Sequence, residues 1–159
     1  MRLPDRRTRE RLRVWLPVAA WAALISVFSS AWFSGEHTGG YLLPLLQALL
    51  PGAMPEHLRA LHTGIRKSAH VTEYLVLTVL LMRALRTEGL RGGALAATAV
   101  FIGVAYAALD ETHQAFVPSR TASPGDVAVD ALGVLAGVGL TLARRPGASA
   151  GTAARPVEN

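Results

Sequence analysis

VWLPVAAWAALISVFSSAWF, Val14 to Phe33, carries no charged residue, and the uncharged stretch runs on as far as Glu36. A helix this apolar all round has to be surrounded by hydrocarbon or by a much larger protein. At 1.5 Å per residue it reaches about 30 Å, the thickness of a bilayer core. Arginines at 2, 6, 7, 9, 11 and 13 precede it. A signal peptide has the same basic start. Here the apolar run continues through Ala31, Trp32 and Phe33 and further spans follow, which favours an uncleaved first helix.

Working outward, three more spans can be drawn, at Lys67–Leu85, Gly93–Leu109 and Pro124–Ala143. No charge interrupts the chain between Arg91 and Asp110. The expected fold is all-α: an integral membrane four-helix bundle with a re-entrant or interfacial outer segment between its first two spanning helices. A chain of 159 residues that is 51% hydrophobic, with mean hydropathy +0.32, suits one such domain. Three regions are expected: a basic cytoplasmic tail at 1–13, the membrane domain at 14–143 and a disordered cytoplasmic tail at 144–159. There is no internal repeat.

The net charge of +5 does not indicate nucleic acid, because the basic residues gather beside the ends of apolar runs and no aromatic-studded basic surface appears. With no cysteine there is no disulfide framework, thiolate metal site or thiol nucleophile. Twelve arginines fall in the N-terminal tail, the loop after the second span and the C-terminal tail. Arg59, Arg66, Lys67 and Arg120 fall on the other side. That asymmetry predicts a multi-pass protein of a bacterial cell membrane with both termini cytoplasmic.

The outer loop is not plain linker. Tyr41–Leu50 is strongly apolar, too short to span, and holds Pro44, with Pro51 just after it. It is expected to be re-entrant or interfacial. Glu56–Arg66 places Leu58, Leu61 and Ile65 on one side, as a short surface helix would. His37, His57 and His62 are expected to be solvated or interfacial. Ser26, Ser29 and Ser30 are expected to bond to backbone or a neighbouring helix, and Trp21, mid-span, to pack between helices.

Chemistry is concentrated where the second and third spans leave the membrane on the outer side. His70 and Glu73 are three apart on one helix face, with Lys67 three before them. Asp110 and His113 repeat the spacing, beside Glu111 and Gln114. Ionisable residues at such depth are costly in lipid and frequent at working sites. Three roles stay open. The pairs can supply metal ligands, as in carboxylate bundles. They can act as a general base and its orienting partner. They can also be a buried network that clamps helix ends, with Lys67 and Arg120 balancing the acids.

Ser123-Pro124-Gly125-Asp126 is a helix start, with Ser123 as N-cap, Pro124 in the first turn and Asp126 returning to the cap. Asp126, Asp130, Gly133 and Gly137 form one stripe. The two glycines admit another helix closely, so the stripe should face protein and carry both aspartates towards the cluster.

The order Trp21…Phe28-Ser29-Ser30, Arg66-Lys67-Ser68-Ala69-His70-Val71-Thr72-Glu73-Tyr74, Asp110-Glu111-Thr112-His113-Gln114-Ala115-Phe116-Val117-Pro118-Ser119-Arg120, Asp126-Val127 and Gly133 resembles the VanZ-like family of bacterial membrane proteins. The resemblance extends from about Trp15 to Leu142. Its founding member is associated with low-level resistance to the lipoglycopeptide teicoplanin, with no agreed biochemical mechanism. The resemblance carries over Lys67, His70, Glu73, Tyr74, Asp110, Glu111, Gln114, Arg120 and Asp126. Asp130 departs from a pattern that often has Asn there.

The leading expectation is an outward-facing site that binds or modifies an envelope lipid or lipoglycopeptide. His70, Glu73, Asp110, Glu111 and His113 are the candidate catalytic groups. Lys67, Tyr74, Gln114, Arg120, Asp126 and Asp130 are the candidate ligand-binding ones. The apolar outer segment would take an acyl chain, and Lys67 and Arg120 an anionic head. In an enzyme, His70 or His113 would be the base, and hydrolysis would need an activated water, on a metal or otherwise. The rival is a non-catalytic protein whose cluster is a clamp or partner-binding surface. A transporter is a weaker third reading, since four spans without a repeat would need an oligomer. The residues do not decide between binding and catalysis, and they name no cofactor.

Overall fold

The computed structural model describes residues 5–117 and 123–144. Five α-helices follow in order: α1 (Arg6–Phe28), α2 (Gly35–Leu49), α3 (Pro55–Thr87), α4 (Gly92–Gln114) and α5 (Pro124–Ala143), with a 3₁₀ turn, Ala31–Phe33, after α1. Among the described residues α1, α3, α4 and α5 are long and apolar enough to cross a membrane. Most of the C-terminal tail, and Arg120, lie outside the described residues.

Local chemistry sets the ends of these elements. The Asp5 carboxylate accepts the Thr8 N–H at 2.8 Å, so α1 begins within the arginine-rich tail rather than at Val14. It stops at Phe28, short of the expected Phe33. The turn there is tight, with the Ser30 N–H on the Val27 carbonyl at 3.0 Å. Between α3 and α4, Gly89 and Gly92 adopt φ of 92° and 56°, a left-handed backbone that side chains disfavour. α4 runs past the expected Leu109 to Gln114 and so carries the acidic motif on a helix.

Two expected pieces, a surface helix at Glu56–Arg66 and a span from Lys67, are one continuous helix. α3 has 33 residues and is about 50 Å long, well beyond an apolar core of about 30 Å. Its first turns hold together because α2 packs antiparallel beside them. Gly35 lies against Arg66 and Gly39 against His62. The outer segment is therefore a 15-residue helix with Pro44 inside it, burying Gly39 and Leu46 and exposing Tyr41, Leu45 and Leu49. His62, expected to be solvated or interfacial, is buried against α2, its Nε2 3.3 Å from Thr38 Oγ1.

α3 is the hub. The anticipated glycine stripe of α5 docks on it, with Gly133 at the Val71 carbonyl and Gly137 at the Leu75 carbonyl. α4 closes on α5 where Gly103 meets Val134. α1 packs against α3, with Trp21 Nε1 donating to the Glu73 carbonyl at 2.9 Å. Tyr74, Leu77, Leu81, Met82, Leu95, Ala99, Ala107 and Val134 fill the space between. Leu16, Phe101, Leu109 and Leu132 point outward, as side chains facing acyl chains do.

The four spanning helices alternate in direction. Glu88, just after α3, accepts from Arg11 at 2.7 Å and from Trp15 at 3.1 Å. Arg86 reaches the Thr141 carbonyl at 3.5 Å. The start of α1, the α3–α4 turn and the end of α5 thus share one end, and most of the arginines lie there. The other end holds Ser29, His70, Asp110 and Asp130.

Candidate functional site

Three polar contacts lace the helices at that second end. Between α1 and α4, Ser29 Oγ donates to Asp110 Oδ2 at 2.6 Å. Gln114 Nε2 donates to the same oxygen at 2.9 Å and to Ser29 Oγ at 3.4 Å. Asp110 and Gln114 meet there because they are one helical turn apart on α4. Between α3 and α5, His70 Nδ1 lies 3.3 Å from Asp130 Oδ1, and Asp130 is only 2% exposed. Between α4 and α5, Glu111 accepts the backbone N–H of Ser123.

That last bond corrects the expected capping box. Ser123 is the N-cap and its hydroxyl accepts the Gly125 N–H at 3.2 Å, but the return bond to the cap comes from Glu111 on α4, not from Asp126. Glu111 therefore ties the start of α5 to the end of α4. Replacing it with alanine should destabilise the protein by about 1–2 kcal/mol, while glutamine, which keeps an acceptor, should cost less. Thermal unfolding in detergent measures the difference. Equal losses for the two variants would show that the carboxylate does not cap α5.

Below this layer Tyr74 is fully buried, its ring 6.3 Å from that of Tyr106. Tyr106 donates to the Ala22 carbonyl at 2.6 Å and accepts from Ser26 at 2.9 Å. Ser26, Ser29 and Trp21 thus bond to neighbouring helices, as expected.

The sequence-predicted site residues divide into three groups. Asp110, Glu111, Gln114, Tyr74 and Asp130 are buried between helices, and Asp126 is half-buried on the first turn of α5. His70 and Glu73 are half-buried and line a cleft of about 300 Å³ with Arg66, Ala69, Thr38, Phe28 and Phe33. Lys67 and His113 are exposed. Among the described residues no three His, Cys, Asp or Glu side chains are grouped to hold a metal ion.

Sequence reasoning did not count Arg66 among the site residues, although it stands at the head of the Arg66–Tyr74 block. The signal was present: Arg66, His70 and Glu73 are spaced i, i+4, i+7, one face of one helix. Phe28 and Phe33 face that stripe, and their rings meet edge-on at 5.1 Å. The cleft therefore has a wall of alternating charge and a wall of aromatic carbon. Asp130 Oδ1 faces the Nδ1 edge of the His70 ring across 3.3 Å, an arrangement that can orient the imidazole in the cleft.

Four spanning helices, lipid-facing leucines and phenylalanines, and ionisable groups gathered at one end define a small multi-pass helical membrane protein. The chain belongs to the VanZ/LLP1 family, whose model matches residues 8–145. No curated protein and no solved structure matches the chain.

Proposed function

We propose that the cleft binds a membrane amphiphile, an envelope lipid or a lipoglycopeptide of the teicoplanin kind, at the outer face of a bacterial cell membrane. The observation that carries this reading is the pairing of the Arg66–His70–Glu73 stripe with Phe28 and Phe33 around one cavity. A polar head suits the first wall and a hydrocarbon chain the second. The outward placement rests on the arginine asymmetry, twelve of the sixteen Arg and Lys residues belonging to the opposite end.

A clamp is favoured for the other half of the cluster by one observation. Asp110 accepts two hydrogen bonds in a buried position, from Ser29 and Gln114, and so joins α1 to α4. We assign Asp110, Glu111 and Gln114 to holding the helix ends, and Arg66, His70 and Glu73 to the ligand. If the bound molecule is also modified, His70 is the base this geometry offers, oriented by Asp130.

Single alanine substitutions separate the two assignments. Glu73→Ala should give folded protein in normal yield that no longer alters the teicoplanin susceptibility of an expressing host, and His70→Ala, which strands the buried Asp130 carboxylate, should lose function well beyond its loss of yield. Asp110→Ala should lose function only in step with folded yield. Loss of yield with every substitution alike would reduce the whole cluster to a clamp.

A further inference from the structure

We infer that Arg66 is the anchor for a phosphate-bearing head group in this cleft, and that Gly35 exists to seat it. The inference rests on the amphiphile reading and narrows the ligand to an oxyanion. Arg66 is half-buried and lines the cavity, yet among the described residues no carboxylate lies within ion-pair distance of its guanidinium. A cation withdrawn from water without a counter-charge is costly, so the position calls for an anion from outside the chain. Lys67, the cation expected to do this, is exposed and does not line the cavity.

Glycine at 35 leaves room for the guanidinium where it lies. A Cβ at Gly35 would collide with Arg66 Nη1 and stand 3.4 Å from its Cζ. The guanidinium thus lies against the first turn of α2, and a side chain at 35 would displace it. Its fork of donors suits phosphate or carboxylate oxygens in a two-point bond, which a lysine cannot reproduce. His70 follows one turn deeper on the same wall, and the aromatic pair Phe28 and Phe33 lies opposite, where the first carbons of a chain would run. Glu73 is a further turn down, about 10 Å along the axis from Arg66, so its carboxylate does not crowd an anion at the mouth. A phosphate monoester on a single chain fits this order of charge, donor and hydrocarbon.

The test uses the full-length protein in a non-ionic amphipol, titrated calorimetrically with dodecyl phosphate, decyl maltoside and inorganic phosphate. Wild type should bind dodecyl phosphate more tightly than either other probe. Arg66→Gln should weaken dodecyl phosphate roughly 10- to 100-fold and leave decyl maltoside unchanged. Gly35→Ala keeps the charge but moves it, and alanine suits the first turn of a helix, so it should weaken dodecyl phosphate without lowering the folded yield. Dodecyl phosphate bound equally by wild type and Arg66→Gln would overturn the anchor while leaving the amphiphile reading intact. Inorganic phosphate bound as tightly as dodecyl phosphate, with the same loss in Arg66→Gln, would keep the oxyanion seat and overturn the lipid source. No binding of either chain-bearing probe would overturn both.

Discussion

Gly133→Val is expected to be the most damaging single substitution in the bundle. A Cβ at this position meets the Val71 carbonyl oxygen, the Val71 carbonyl carbon at 3.0 Å and Tyr74 Cβ at 3.0 Å. Two of these are backbone atoms, so no rotamer change on α3 relieves the contact, and α5 has to move away. Overpacking typically costs about 1–3 kcal/mol, and a clash with backbone belongs at or above the top of that range. Against a total stability of about 5–15 kcal/mol, a large part of the folded population would be at risk. Gly139→Val is the matched control, because a Cβ there has open space on the same helix. Thermal unfolding and the monodisperse fraction in detergent should separate the two variants clearly. Equal stability would mean that α5 does not sit on α3 as described.

The second large effect is expected at Asp130. Its carboxylate is almost fully buried and faces the His70 ring, so removing it leaves an imidazole with its polar edge turned into an apolar interface. Leaving one buried polar partner unsatisfied costs about 1–3 kcal/mol. Asp130→Ala should therefore destabilise by about 2 kcal/mol. Asparagine keeps the shape and an acceptor, so Asp130→Asn should stay within about 1 kcal/mol of wild type. A double-mutant cycle with His70→Ala reads the pair itself, and strictly additive losses would show that the two side chains do not interact.

Much of the bundle was legible because hydrophobic length and charge interruption are local properties of the chain. Val14–Phe33 and the Arg91–Asp110 gap mark helices without any knowledge of neighbours. The glycine spacing at 133 and 137 likewise tells which face of α5 meets protein. What stayed hidden depends on partners distant in sequence. Glu56–Arg66 looks like a separate surface helix until α2 is seen beside it, supplying the contacts that let α3 continue outward. His62 looks solvated or interfacial for the same reason. The capping of α5 by Glu111 joins residues twelve apart across a loop, which no local motif encodes. Arg66 was obscured by Lys67 next to it: two adjacent cations point to different sides of a helix, and only the packing tells which one turns inward. His113 shows the converse, since spacing paired it with Asp110 while the structure leaves it exposed.

Whether the polar end of this bundle receives an amphiphile can be read by photochemical capture in the native membrane. A benzophenone side chain introduced at Phe33, in the cleft, is compared with one at Phe101, which is 73% exposed on the outside of α4. The account predicts that the probe at Phe33 captures a narrow set of anionic amphiphiles, displaced by added dodecyl phosphate, while the probe at Phe101 captures the bulk lipids in their natural proportions. Identical bulk composition at both positions, unaffected by the competitor, would contradict it.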